Sequence, residues 1–388
     1  WDRSYGGSNY DVGSHIEEVN GGYIFIGDSR SDDGDVSINK GQADLWVVKI
    51  DTVGNIIWEK SLGGSGTERP DVIRSTSDAG FILSAGTSSI DGDVTNNIHS
   101  SQFWDIWIVK LDGTGSIQWE KTFGGSFMEF GGDVIETADG GFILTGYSNS
   151  TDDDITCNQG LWDNWVAKLD ASGSIEWSNC YGGTGSEKGK SIRQTQDGGY
   201  LLGSSTDSDD LDVSSNNGQE DCWLVKIDSL GLIEWEQSYG GSGFESISNA
   251  ILTIDGGLAF VGQSLSNDGD VSGHHGPLSE QDIWIVKLSQ VFTNINELDR
   301  NVGSMTIAPN PTNGQFTLNY DLVRTGRVNI ELYDVQGKLI HEIFDGFRMP
   351  GAHQHKIDMS TLRISEGIYN IRILTAGQSV FRKIIFIN

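Results

Sequence analysis

Five acidic loops recur along the chain, each reading Asp, any residue, Asp, Val or Ile, Ser or Thr, any residue, Asn or His. The sets are Asp33, Asp35, Ser37 and Asn39; Asp91, Asp93, Thr95 and Asn97; Asp152, Asp154, Thr156 and Asn158; Asp210, Asp212, Ser214 and Asn216; and Asp268, Asp270, Ser272 and His274. Oxygen at alternate positions is what a hard cation needs, so the pattern resembles the first half of a calcium loop. Asp44, Asp163 and Asp221 stand eleven places beyond the first aspartate in three of the loops and extend the candidate Ca2+ ligand set. No glycine follows the third oxygen and no glutamate closes the loop, so turns in which Asp and Ser bond their own backbone are the alternative reading.

A second acid recurs at Asp11, Glu68, Glu129, Glu187 and Glu245. Repetition in every unit points to a structural ring, because catalytic acids work in unlike pairs. Trp104 and Trp162 do break the repeat: they stand where other units have Ala43, Glu220 and Gln281, and Phe103 adds area beside the first. Loop aromatics on a rigid scaffold can stack on a sugar or dock a partner protein, or can plug a gap between loops. His274 and His275 form the one histidine pair before residue 300, in a turn position.

The elements that carry these residues follow from an internal repeat of about 60 residues. WDRSYGG at Trp1 returns as WEKSLGG at Trp58, WEKTFGG at Trp119, WSNCYGG at Trp177 and WEQSYGG at Trp235. A second tryptophan keeps the same beat at Trp46, Trp107, Trp165, Trp223 and Trp284, and a glycine doublet at Asn20, Asp78, Asp139, Asp197 and Asp255. Each unit reads as four short strands rich in β-branched and aromatic residues, separated by turns in which Gly takes positive φ. Five such sheets predict a five-bladed β-propeller over residues 1–289. The last unit ends at Trp284 without its fourth strand, so Trp1 to Tyr5 is expected to supply that strand and close the ring. The ten repeated tryptophans are read as packing between blades.

Composition agrees. The chain has 388 residues, 52 Gly against 5 Pro, and a formal net charge of −30. Before Gly303 stand 16 basic and 48 acidic residues, a field that repels nucleic acid and anionic membranes. No stretch approaches the roughly 20 apolar residues of a membrane span. Cys157, Cys180 and Cys222 fall at non-equivalent repeat positions, and the expectation is a buried free thiol at each, with neither zinc nor disulfides holding the fold.

Residues 290–303 read as a linker. From 304 to 388 the composition changes to about seven alternating strands, a β-sandwich of immunoglobulin-like type. This segment carries PNPTNGQF at Pro309, LYDVQGKLI at Leu332, LRISEGIYNIRIL at Leu362 and a terminal FRKIIFIN. In order and position these resemble the type A C-terminal sorting domain of the type IX secretion system of Bacteroidota. The residues that match that pattern are Pro309, Asn310, Pro311, Gly314, Gly337, Gly367, Tyr369 and Lys383, and the resemblance assigns the terminal Ile385, Phe386, Ile387 and Asn388 to the outer-membrane shuttle protein. It implies export through the translocon to the outer-membrane surface or the medium, and cleavage by the sortase near the linker. In the repeats, the strand around each first tryptophan is similar to the tryptophan-docking repeats of quinone-dependent dehydrogenases, and the glycine doublets are similar to kelch repeats. Quinone chemistry is set aside because those enzymes carry adjacent cysteines.

For the propeller two functions follow. One is a non-catalytic module that binds a glycan or a surface protein, in adhesion or gliding, for which like blades offer avidity. The other is a glycan-active enzyme with its site in the channel, which requires two carboxylates in unlike environments; no single repeat supplies such a pair.

Overall fold

In the computed structural model every residue is described except 96, 98–102, 256, 289–301, 335–337, 363, 376–377 and 387–388. The chain divides into two units, Trp1–Ser289 and Gln290–Asn388. Most of the expected linker 290–303 lies outside the described residues.

The first unit is built from antiparallel meanders, one per sequence repeat. Sheet 1 holds β1 (Asp11–Val19), β2 (Gly22–Ser29), β3 (Asp44–Asp51) and β4 (Ile56–Leu62). Sheet 2 holds β5 (Glu68–Ser75), β6 (Phe81–Thr87), β7 (Asp105–Leu111) and β8 (Ile117–Phe123). Sheet 3 holds β9 (Glu129–Glu136), β10 (Phe142–Ser148), β11 (Asp163–Leu169) and β12 (Ile175–Tyr181). Sheet 4 holds β13 (Glu187–Gln194), β14 (Tyr200–Thr206), β15 (Asp221–Ile227) and β16 (Ile233–Tyr239). Sheet 5 holds three strands, β17 (Glu245–Leu252), β18 (Leu258–Ser264) and β19 (Asp282–Leu288).

Each sheet packs through its first strand onto the face of the sheet before it, β5 on β1 to β3, β9 on β5 to β7, β13 on β9 to β11 and β17 on β13 to β15. The central strands β7, β11 and β15 are consequently buried along their whole length. Their tryptophans Trp107, Trp165 and Trp223 are inaccessible to solvent. A large aromatic excluded from water on both sides of a sheet is a packing element, as the repeat implied.

The lysine that follows each of these tryptophans is buried too. Lys110, Lys168 and Lys226 reach Asp78, Asp139 and Asp197 in the glycine-doublet turns at 2.9, 3.1 and 3.1 Å. Each aspartate also accepts the hydroxyl of Thr76, Thr137 or Thr195, so the hairpin between the first two strands is tied to the third.

Two expectations are corrected. Trp1 to Tyr5 forms no strand beside Trp284. Trp1 donates its indole N–H to Thr52 O at 3.0 Å and Tyr5 its hydroxyl to Gly54 O at 2.8 Å, in the turn between β3 and β4. This is the place that Trp58 takes on the next sheet, where its indole N–H meets Gly113 O at 3.3 Å. The segment therefore keeps half of its predicted role: it sits on sheet 1 as the last strand of a preceding sheet would, but β19 does not pair with it. Ile283 and Ile285 of β19 are 81 % and 71 % exposed, whereas Ile106 and Ile108 at the same places in sheet 2 are fully buried.

The second correction is a disulfide between Cys157 and Cys180, 23 residues apart. Cys157 lies in the loop between β10 and β11, and that loop crosses β12, where Cys180 sits; positions unlike in the repeat are neighbours in space. Cys222 remains a buried free thiol. Closing a loop of this size is worth about 3 kcal/mol. Reductant is therefore expected to lower the urea midpoint of the native chain and to leave the Cys157→Ser variant unmoved; equal midpoints for the native chain with and without reductant would contradict this.

The second unit is a sandwich of two antiparallel sheets. One contains β20 (Val302–Ala308), β21 (Gln315–Leu322) and β24 (Gly351–Asp358); the other contains β22 (Gly326–Tyr333), β23 (Leu339–Arg348), β25 (Gly367–Thr375) and β26 (Gln378–Phe386). Alternate residues of both sheets, among them Phe316, Leu318, Tyr320, Val328, Ile330, Leu332, Ile371, Ile373 and Ile384, meet in one core.

Candidate functional site

The acidic loops join neighbouring sheets. In sheet 4, Asp210 Oδ1 accepts the amide of Thr184 at 2.8 Å and Asp212 Oδ2 that of Gly182 at 3.2 Å, in and just after the glycine doublet arriving from sheet 3. The amide of Asp212 returns a bond to Gly182 O at 3.2 Å. Asp33 and Asp35, Asp91 and Asp93, Asp152 and Asp154, and Asp268 and Asp270 make the same pair of contacts to Ser8 and Gly6, Ser65 and Gly63, Ser126 and Gly124, and Ser242 and Gly240. The oxygens that resembled half a calcium loop thus satisfy backbone amides of the preceding repeat, which otherwise have no strand partner.

The repeated acid completes this latch. Glu187 accepts Gly183 N at 2.9 Å and the Thr206 hydroxyl at 2.6 Å. Glu68, Glu129 and Glu245 act alike, and Asp11 takes the same place in sheet 1. Facing Glu68 and Glu187 across the junction stand Asp44 and Asp163, and Asp221 faces Glu245 in the same way. These aspartates are fully buried and accept the amides of Lys40, Gln159 and Asn217. Burial pushes the carboxyls of Asp163, Asp212 and Asp221 up to about 6. At the first junction the Lys40 ammonium bonds Asp93 and Ser61 O. Among the described residues no three acidic, histidine or cysteine side chains are grouped to hold a metal ion.

Trp104, Trp162 and Phe103 are half-buried on one rim of the unit. Each of the tryptophans packs on residues that the sequence reading did not single out. Arg69, at the start of β5, places its guanidinium 5.6 Å from the Trp104 ring centre. Phe130 of β9 and Tyr147 of β10 stack at 5.1 Å, and Trp162 lies 5.8 and 5.7 Å from them. Lys190 of β13 covers the Tyr147 ring at 5.0 Å, and Lys188 pairs with Glu220 at 2.7 Å. Phe103 packs on Phe127 at 6.3 Å.

Between the two aromatic groups lies Asp71. Gly131 makes room for it, since a Cβ there would stand 2.2 Å from Asp71 Oδ2. Burial raises its carboxyl to about 7 against the opposing pull of Lys190 and Arg69. Deeper on the same strands Asp133 accepts Arg74 at 3.1 Å and also Arg193, while Arg193 reaches Asn249 at 2.9 Å.

One signal could have found these residues. Counting three from the repeated acid gives Ser14, Asp71, Gly132, Lys190 and Ser248, a position with no common type inside an otherwise regular repeat.

His275 bonds Asp282 through its amide at 2.6 Å and its ring at 3.2 Å, an ordinary turn contact.

In the sandwich, the described residues singled out by sequence gather around the C-terminal half of β26. Asn310 Oδ1 accepts the amide of Ile385 at 2.9 Å, and the amide of Thr312 donates to Ile385 O at 2.8 Å. Pro309 and Pro311 follow cis peptide bonds, and Gly314 takes φ +126. Gly367 and Tyr369 open β25 opposite Phe386 and Ile384, Lys383 lies opposite Asn370, and the Tyr369 hydroxyl donates to Ser365 O at 2.7 Å. Gly337, Ile387 and Asn388 lie outside the described residues.

Residues 306–388 match the family described as the secretion system C-terminal sorting domain. The segment marks the chain for export to the cell surface or extracellular space, and no described helix is long and apolar enough to cross a membrane. No curated protein matches the chain. Among solved structures, similar ones include a GH32 beta-fructofuranosidase from Bombyx mori, with 8 % identity and TM-score 0.33 over 97 % of this chain and 86 % of that one. A glycoside hydrolase family 43 arabinoxylan arabinofuranohydrolase from Bacillus subtilis gives 12 % and 0.31 over 96 % and 77 %. An apocarotenoid oxygenase from Synechocystis gives 10 % and 0.31 over 79 % and 70 %.

Proposed function

We propose that this chain is a type IX secretion substrate of a Bacteroidota cell whose repeat unit works at the surface as a non-catalytic binding module for a glycan or a surface protein, in adhesion or gliding. On this reading the sandwich engages the translocon and the outer-membrane shuttle protein and is removed by the sortase. The repeat unit acts as a ring of five blades. Calcium bound by the loop aspartates, Asp33, Asp35 and Asp44 and their equivalents in the other repeats, belongs to the same proposal.

The observation that carries the binding reading is the rim of sheets 2 to 4. There, among the described residues, the repeat gives way to unlike aromatic and charged side chains, half-exposed on a scaffold whose repeated tryptophans, Trp1 apart, are buried or half-buried. Such a mixture of flat apolar faces and hydrogen-bonding groups is what a sugar ring requires.

The enzyme reading rests on Asp71, whose carboxyl burial raises to about 7, with Asp133 as a second acid near it. Both oxygens of Asp133 are held by arginines, which suits a structural anion better than a base or nucleophile.

A glycan array probed with the full chain tests the proposal. Trp104→Ala and Trp162→Ala are each expected to weaken binding by roughly tenfold or more, the loss of one stacking face. Binding that both variants retain in full would remove the rim from the function.

A further inference from the structure

The repeat unit is short of cations, and those it has are concentrated. Fifteen lysines and arginines lie between Trp1 and Leu288, and five of them, Arg69, Arg74, Lys188, Lys190 and Arg193, belong to β5 and β13. The equivalent strands β1 and β17 carry none. A surface so acidic elsewhere gains nothing in solubility from gathering positive charge at one place.

Three of the five are committed. Arg74 and Arg193 clamp Asp133. Lys188 is paired with Glu220, which leaves Arg69 and Lys190. Each lies over an aromatic ring, Trp104 and Tyr147 respectively, and both flank Asp71. Like charges drawn together around one carboxyl repel each other unless an anion is shared between them. Asp71 does this poorly: its Oδ2 is buried without a hydrogen bond of regular geometry.

We propose that the rim of sheets 2 to 4 takes an acidic polysaccharide, with a uronate carboxylate held between Arg69 and Lys190 and the faces of its pyranose rings on Trp104 and Trp162. This rests on the glycan reading above and narrows it to carboxylated sugars. The forked guanidinium and the ammonium supply charge-assisted bonds to the carboxylate. The indoles supply stacking that does not depend on charge. Asp71, in its protonated form, donates to the bound carboxylate instead of repelling it, so the site is cationic when filled.

The test is calorimetric binding of the full chain to polygalacturonate, to the same polymer after methyl esterification, and to a sulfated galactan. Polygalacturonate is expected to bind, esterification to weaken it roughly tenfold or more, and added salt to weaken it further. Arg69→Gln and Lys190→Gln, both at solvent-accessible positions, are expected to bring polygalacturonate down to the level of the ester without changing the melting temperature. Equal affinity for polymer and ester, or wild-type affinity in both variants, overturns the proposal and leaves a neutral-glycan site standing. Tighter binding to the sulfated galactan overturns the choice of carboxylate. If none of the three binds and the neutral glycans of the array also fail, the glycan reading falls with it.

Discussion

The repeat unit is expected to melt at a higher temperature near pH 4 than near pH 7.5. Asp163, Asp212 and Asp221 have folded-state values of about 6 and Asp71 of about 7, in each case because burial disfavours the ionised form. Unfolded, the same groups titrate near the ordinary aspartate value of about 4. Between these limits the folded chain binds more protons than the unfolded one, so stability falls as pH rises from about 4 through about 7 and is level above that.

Asp78, Asp139 and Asp255 act in the opposite direction and in a different window. Hydrogen bonds from threonine and lysine hold them at about 2, so what they contribute is complete above about 4 and is lost as pH falls towards 2. They are half-exposed or more, which makes their share small. The maximum therefore falls close to pH 4. For the fully buried Asp163 and Asp221 the change corresponds to on the order of 2–3 kcal/mol apiece.

Relief of general repulsion among 55 acids works in the same sense, and Asp163→Asn separates the two. The amide oxygen can still accept Gln159 N, so this variant should keep the fold and lose its own part of the slope. A melting temperature that does not fall between pH 4.5 and 7.5 would refute the account, as would an Asn variant with an unchanged slope.

The sheets were legible because the repeat aligns the chain with itself. Trp107, Trp165 and Trp223 could be assigned to packing from recurrence alone, and the turns at Asp78, Asp139 and Asp197 from their glycines. What the repeat hides is contact between units. The Asp210 carboxylate bonds an amide 26 residues away in the previous repeat, and the Asp212 carboxylate one 30 residues away, so a loop read by itself looks like half an ion site. The disulfide was missed for the same reason: Cys157 and Cys180 have no common place in the repeat, and only the path of the loop over β12 joins them. Trp104 and Trp162 stood out by breaking the pattern. Asp71, Tyr147 and Lys190 did not, because they come from three different strands and share a site only after sheets 2, 3 and 4 are stacked.

The junction between sheets 3 and 4 supplies the harshest test of the latch. The amide of Gly183 donates to Glu187, and a Cβ added to it would stand 2.4 Å from Ser208 Cβ and 2.4 Å from Asp210 Oδ1. Neither neighbour can retreat alone, since Ser208 Oγ holds Gly185 N at 2.9 Å and Asp210 holds Thr184 N. Gly183→Ala thus combines overpacking, about 1–3 kcal/mol, with amides left unsatisfied at about 1–3 kcal/mol each. A loss of about 3–6 kcal/mol is expected in denaturant unfolding.

Gly198→Ala is the control. It sits at φ +85 with open space around its Cβ, so it meets only backbone strain, about 1–2 kcal/mol. Because each sheet is stabilised chiefly by its neighbours, the damaged junction should also split the transition, with sheets 4 and 5 unfolding before sheets 1 to 3. If Gly183→Ala costs no more than Gly198→Ala and unfolds in one step, the glycine doublets are mere turns and the acidic loops do not hold the sheets together.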